Sequence, residues 1–198
     1  MSGKIETWFP KSVYIVEDVR CDLLSLLENE IESLCLSEPT TRNTSQYVHT
    51  SARTHNQLHL ERPSFQDLSE DIIKHVRHYS SSLGYDDEFN DQLRIGKIWY
   101  NISYKGDFIF PHSHPGSFFS GAYYVKANPG NQIVFYDRLD HYAEQPIVPN
   151  HLSYNDATYD CVPGRLLVFR SDFVHGVPVQ DFEGEKITVS FNVIHTNN

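Results

Sequence analysis

The chain has 198 residues, enough for one compact domain with its own core and too few for two ordinary ones. Sixteen basic against 26 acidic side chains give a formal net charge of −10, which repels phosphate backbones and anionic lipid, so neither nucleic acid nor a membrane is an expected partner. No basic-then-apolar leader and no bilayer-length apolar run is visible, so a soluble, cytoplasmic protein is expected, with Cys21, Cys35 and Cys161 as buried thiols rather than a disulfide framework.

The first two-fifths mix helix and strand. Asp18 can cap a helix in which Val19, Leu23, Leu27, Ile31 and Leu34 recur at helical spacing, ending before Pro39. Residues 47–53 and 57–60 read as short strands joined by a polar turn. A second helix is predicted from Ser64, with Asp67 completing a short capping box, through Leu68, Ile72, Val76 and Tyr79 to Gly84. Both helices are expected to pack on the outside of a sheet. Beyond residue 92 the pattern changes to short apolar and aromatic runs: QLRIGKIWYNI, SGAYYVKA, NQIVFYD, GRLLVFR and KITVSFNVI, separated by turn signals at KGD, ANPGN and DFEGEK. Many short strands at this spacing, with helices to one side, predict a mainly β protein, a jelly roll with flanking helices. The expected organisation is one domain over 1–198, with 1–90 as mixed support and 92–195 as the jelly-roll core.

Within this pattern, FPHSHPGSFFSGAYYV carries two histidines one residue apart. In an extended chain, residues i and i+2 point the same way, and a residue before proline is pushed out of the helical region, as Phe110 and His114 are. His112 and His114 can therefore face one point, and neutral imidazole is a common ligand for divalent transition metals. The third ligand predicted is His175 in FRSDFVHGVPV, after the strand GRLLVFR. His-x-His alone is a weak signal, and the other histidines among the chain's eleven receive no role. Asn43 and Asn101 begin glycosylation sequons that read as accidental matches.

The ordered set HSHPGSFFSGAYYV, NQIVFYD, PGRLLVFRSDFVHGVPV and EKITVSFNV resembles the iron(II)/2-oxoglutarate-dependent dioxygenases, within them a small group of oxygenases of about this length found in bacteria and phages. WFPKSVYIVED resembles the group's opening strand, so the likeness spans nearly the whole chain, with its specific motifs between Trp99 and Asn192. The resemblance implies a double-stranded β-helix, Fe(II) and 2-oxoglutarate, and hydroxylation of a substrate with release of succinate and CO2. It makes His112 the first metal ligand and His175 the second.

The family's H-x-D/E carboxylate is replaced here by His114. Three arrangements stay open: His114 coordinates and gives a three-His site, the site has two histidines completed by water, or Asp137 in VFYD supplies an oxygen ligand. The three-His arrangement is the expectation, with Asp137 the alternative to His114. Lys186, eleven residues after His175, and Ser190 match the family's 2-oxoglutarate carboxylate binders. Lys186, Thr188, Ser190 and Asn192 share one face of the last strand, which would otherwise read as a polar face in water. Tyr124, or Tyr123 if the register differs, and Asn101 complete the implied cosubstrate pocket, although both fit plain barrel packing.

Two other readings compete: a cupin-like three-His metalloenzyme without 2-oxoglutarate, and a non-catalytic jelly-roll binding module with structural histidines. The primary substrate is not legible. The Tyr/Asn/Asp-rich segment 137–160 fits a lid or a variable loop, and exposed jelly-roll edges leave a homo-oligomer open.

Overall fold

A computed structural model describes residues 4–7, 9–37, 48–137, 148 and 150–196. Two antiparallel sheets face each other. The larger is built from β1 (Val13–Val16), β8 (Leu166–Arg170), β5 (Phe119–Lys126), β10 (Lys186–His195), β3 (Leu93–Ser103) and β2 (His49–Thr50), in that spatial order. The smaller runs β4 (Ile109–His112), β9 (His175–Val177), β6 (Gln132–Tyr136) and β7 (Asp156–Asp160). This is the expected mainly β jelly-roll arrangement, with α1 (Leu24–Ser37), α2 (Leu58–Glu61), α3 (Pro63–Ser82) and α4 (Asp87–Asp91) outside it.

The larger sheet is buried on both faces, and period-two alternation sorts its side chains between two cores. Toward the helices, Ile187, Val189, Phe191 and Val193 of β10 and Leu166 and Val168 of β8 join Leu27 and Ile31 of α1 and Leu68, Ile72 and Val76 of α3. Toward the smaller sheet, Ala122, Tyr124, Leu167 and Phe169 meet Ile133, Phe135 and Cys161. Burial of the α3 stripe, at about 25 cal/mol per Å² of apolar surface, holds the helix on the sheet more firmly than its own propensity would.

Four sequence expectations are corrected. Asp18 caps nothing: it and Arg20 have φ of 55° and 44°, and a short 3₁₀ turn at Cys21–Leu23 precedes α1. The segment is held by tertiary bonds, Val19 N to Gly164 O (2.9 Å) and Tyr123 Oη to Val19 O (2.7 Å), which override a local cap. The Ser64–Asp67 capping box is also absent. Pro63, favoured in a helix's first turn, starts α3 one residue earlier, and the Ser64 hydroxyl donates instead to Glu30 Oε2 of α1 (2.6 Å). Residues 57–60 form not a strand but the bridge at Gln57 and then α2, because a short apolar run is ambiguous between the two periods. Cys21 is exposed, whereas Cys161 is buried, and all three thiols are free.

Of the predicted strand over 47–53, Tyr47 lies outside the described residues and only His49–Thr50 is a strand. The segment 137–160 ends in the exposed edge strand β7, and its middle lies outside the described residues. Pro39 and Asn43 also fall outside them. No described helix is long and apolar enough to cross a membrane.

Candidate metal and cosubstrate site

The two sheets leave a pocket between them, lined at one end by His112, His114 and His175 with Trp99, and also by Asn101, Tyr124, Cys161, Lys186 and Ser190. His112 and His175 are direct cross-strand partners in the β4–β9 ladder, so strand pairing itself sets the imidazoles side by side. Gly176 makes that pairing possible, since a Cβ there would lie 2.8 Å from Ile109 O and 3.1 Å from Pro111 N. His114 follows in the turn beyond β4, anchored by its main-chain N–H to Ser171 O (2.8 Å).

The hydrogen bonds fix which ring nitrogens face inward. His112 Nδ1 lies 2.9 Å from Phe110 O and His175 Nδ1 2.9 Å from Phe173 O. A carbonyl only accepts, so each Nδ1 carries the proton and each Nε2 presents a lone pair. His114 Nε2 lies 3.3 Å from His175 Nε2, and one nitrogen from each of the three rings lies within 4.8 Å of the others. Burial, reinforced by the neighbouring His112, lowers the pKa of His114 to about 4 and that of His175 to about 3. Both rings are therefore neutral at physiological pH, the form a metal requires.

Lys186 also lines the pocket. Its side chain is 2 % exposed and its Nζ donates to Gln180 Oε1 (3.0 Å), which also accepts from Asn131 Nδ2 (3.1 Å). Among the described residues it has no carboxylate partner, and burial pushes its pKa down against a smaller opposing influence of Cys161. A buried ammonium held by one neutral amide is costly unless an anion completes it. The Tyr124 hydroxyl is buried in the same pocket, with the Cys161 thiol beside it as a weak partner. These two groups and the three imidazoles fit a divalent metal together with a small carboxylate ligand.

Other predicted positions resolve as follows. Asn101 Nδ2 donates to Ser190 Oγ (2.9 Å) inside the pocket, so that sequon asparagine is buried. Tyr123 points the opposite way into the helix-side core, leaving Tyr124 as the inward member of the pair. Asp137 is ion-paired with Lys11 and is not grouped with the three histidines, and among the described residues no acidic side chain lines the pocket. The polar face of β10 is turned inward rather than into water, because helices already cover its other face. Sequence reasoning missed Gln180, Cys161 and Ser120. Only Ser120 had a readable signal, its alternation with Ala122 and Tyr124 along β5.

Among solved structures, the chain is similar to a Pseudomonas putida prolyl-4-hydroxylase, with 12% identity, a TM-score of 0.65 and 93% of each chain covered. It is similar to the non-heme alpha-ketoglutarate-dependent epimerase SnoN from nogalamycin biosynthesis, with 11% identity, a TM-score of 0.70, and 93% of this chain and 77% of that one covered. It also resembles HygX from Streptomyces hygroscopicus, solved with nickel and 2-oxoglutarate bound, with 13% identity, a TM-score of 0.64, and 94% and 83% covered. At such identities these likenesses establish the fold, the jelly roll of 2-oxoglutarate oxygenases. Residues 97–192 match the family described as "Putative 2OG-Fe(II) oxygenase", a span that includes all three histidines and Lys186. That segment, just under half of the chain, carries the sequence likeness to the 2OG-Fe(II) oxygenases. No curated protein sequence matches it as a relative.

Proposed function

We propose that the protein hydroxylates a still unidentified substrate, with His112, His114 and His175 holding Fe(II) and Lys186, Tyr124, Ser190 and Asn101 seating 2-oxoglutarate. The observation that carries this reading is the pairing, in one pocket, of three converging imidazoles with a buried lysine that has no anionic partner among the described residues. Iron and 2-oxoglutarate, when bound, supply the oxidising chemistry: O2 is consumed, 2-oxoglutarate becomes succinate and CO2, and a C–H bond becomes C–OH.

The chain's own residues do the rest. The Phe110 and Phe173 carbonyls hold two imidazoles in the tautomer whose Nε2 faces the metal. Lys186 offers a charge-assisted hydrogen bond to the cosubstrate's far carboxylate, and the buried Tyr124 hydroxyl, beside the weakly bonding Cys161 thiol, offers a second donor. Asn101 and Ser190 brace each other beside them. Trp99, Phe169 and Ile133 line the same pocket and keep water from competing. No side chain serves as a nucleophile, and burial raises the Cys161 pKa, which argues against an activated thiolate there. The three free thiols accord with a cytoplasmic setting.

The three-His donor set also suits a cupin-like enzyme that dispenses with 2-oxoglutarate, and Lys186 separates the two readings. The test is anaerobic reconstitution with Fe(II), then O2 consumption and succinate release with 2-oxoglutarate as the only organic substrate. Slow, iron-dependent succinate formation that His175→Ala abolishes supports the proposal. Iron binding with no 2-oxoglutarate binding favours the cupin-like reading, and no iron binding favours the binding module.

A further inference from the structure

Behind the pocket, Lys186 ends in a hydrogen-bond network whose directions are set by main-chain groups that act one way only. Gln180 Nε2 is 2.6 Å from Pro178 O, a carbonyl that can only accept, so the amide nitrogen lies there and Oε1 faces Lys186 Nζ (3.0 Å). The Asn131 carboxamide is fixed in the same manner: its Oδ1 accepts from the Asn128 main-chain N–H (2.8 Å), and its Nδ2 donates to Gln180 Oε1 (3.1 Å). The Gln180 main chain is pinned as well, its N–H donating to Asp107 O (2.9 Å) and its carbonyl accepting from Gly106 N (2.8 Å). At 3 % exposure, Gln180 is out of reach of water that could replace these contacts.

We propose that Gln180 is a positioning residue that holds the Lys186 ammonium at one depth in the pocket, leaves its charge for an incoming carboxylate, and so sets the length of the 2-oxo diacid that fits. The inference rests on the proposed seating of 2-oxoglutarate on Lys186. A carboxamide suits this task because it is neutral: its oxygen takes one ammonium proton, and the other two stay available to a ligand. A carboxylate at position 180 would pair with the ammonium before any cosubstrate arrived. Glu185, the acid next to Lys186 in the chain, is drawn off by another partner, its Oε1 accepting from Lys126 Nζ (2.9 Å). Gln180 does not itself line the pocket, whereas Lys186 does, so its influence on a bound acid passes through Lys186. The histidine end of the pocket is fixed by the pairing of His112 with His175, and the ammonium end by Gln180. With both ends fixed, an acid one methylene longer or shorter has one of its ends misplaced.

The test is calorimetric titration of the full-length, Mn(II)-loaded protein with 2-oxoglutarate and with 2-oxoadipate, its homologue longer by one methylene, for wild type, Gln180→Glu and Gln180→Ala. Wild type should favour 2-oxoglutarate. Gln180→Glu, close to the same shape, should pair with Lys186 and weaken 2-oxoglutarate binding about 10–100-fold, the scale of a hydrogen bond to a charged group. Gln180→Ala opens space into which Lys186 Nζ can withdraw, and should narrow the preference for 2-oxoglutarate over 2-oxoadipate about 10-fold, the scale of one methylene. Mn(II) affinity should stay at the wild-type value in both. A merely structural role gives a different pattern, because Gln180 lies five residues beyond His175 on the same segment. A disturbed segment would lower the affinity for Mn(II) and for both acids together and leave the ratio of the acids unchanged. That pattern, Gln180→Glu with wild-type affinity for 2-oxoglutarate, or Gln180→Ala with the wild-type preference, would each overturn the inference, and either variant decides it if the other does not fold. Wild-type protein that binds Mn(II) but neither acid would overturn the cosubstrate reading, and this inference with it.

Discussion

Replacing Lys186 by methionine separates the proposed cosubstrate site from ordinary packing, because it should move two quantities in different ways. In the metal-free protein the ammonium is 2 % exposed and has Gln180 as its hydrogen-bond partner, so a similarly shaped apolar side chain removes a desolvated charge at little cost. Gln180 Oε1 keeps its bond from Asn131. Thermal stability of Lys186→Met should therefore equal or exceed that of wild type. Binding of 2-oxoglutarate should collapse, since taking away one partner of a buried charge pair costs about 3–5 kcal/mol. At 1.4 kcal/mol per decade, that is a loss of roughly 10²-fold to a few thousand-fold in affinity. The assay is calorimetric titration of 2-oxoglutarate into Mn(II)-loaded protein, with Mn(II) binding measured separately and expected to be unchanged. A variant that binds 2-oxoglutarate within a few-fold of wild type would refute the role given to Lys186.

His112→Ala and His175→Ala should each abolish stoichiometric metal binding, and His114→Ala should weaken it by at least ~10²-fold, more than loss of a ligand's hydrogen-bond partner usually does; metal analysis after anaerobic loading checks all three. Gly176→Ala should push β4 away from β9, costing about 1–3 kcal/mol in urea denaturation and lowering metal affinity in parallel; an unchanged protein would show that the close approach at Ile109 is not needed. Metal-free protein should lose stability on acidification. With His114 and His175 lowered to about 4 and about 3, unfolded chains take up protons below their ordinary value of 6.5 while the folded protein does not. The contribution is complete above pH 6.5 and declines toward pH 4 and then 3, by up to about 1.4 kcal/mol per pH unit for each ring. Urea midpoints at several pH values should show a shallower decline when both rings are replaced by phenylalanine, and an identical decline would contradict this assignment.

The strands of the second half were legible because their apolar and aromatic runs are bounded by strong turn signals: β6 and β8 fall within the predicted runs, and β3, β5 and β10 each extend one residue beyond theirs. The strand β7 was not, since Asp156–Asp160 is an exposed polar edge without alternation. Helix starts failed where long-range contacts outranked local chemistry: Val19 bonds to Gly164, and Ser64 reaches Glu30. Of the site, the residue types and their facing could be read, because His112 and His114 share a side and Lys186 through Asn192 alternate. Which partner strand lies opposite could not. The cross-strand pairing of His112 with His175, the burial of Lys186 beside Gln180, and the Asn131–Gln180–Pro178 chain all depend on how the sheets close.

A crystal grown anaerobically with Mn(II) and 2-oxoglutarate, with anomalous scattering used to locate the metal, puts the central arrangement to direct trial. One manganese peak should be ligated by Nε2 of His112, His114 and His175, with the far carboxylate of 2-oxoglutarate against Lys186 and Tyr124. Manganese bound elsewhere, or a cosubstrate carboxylate that leaves Lys186 with Gln180 alone, would contradict it.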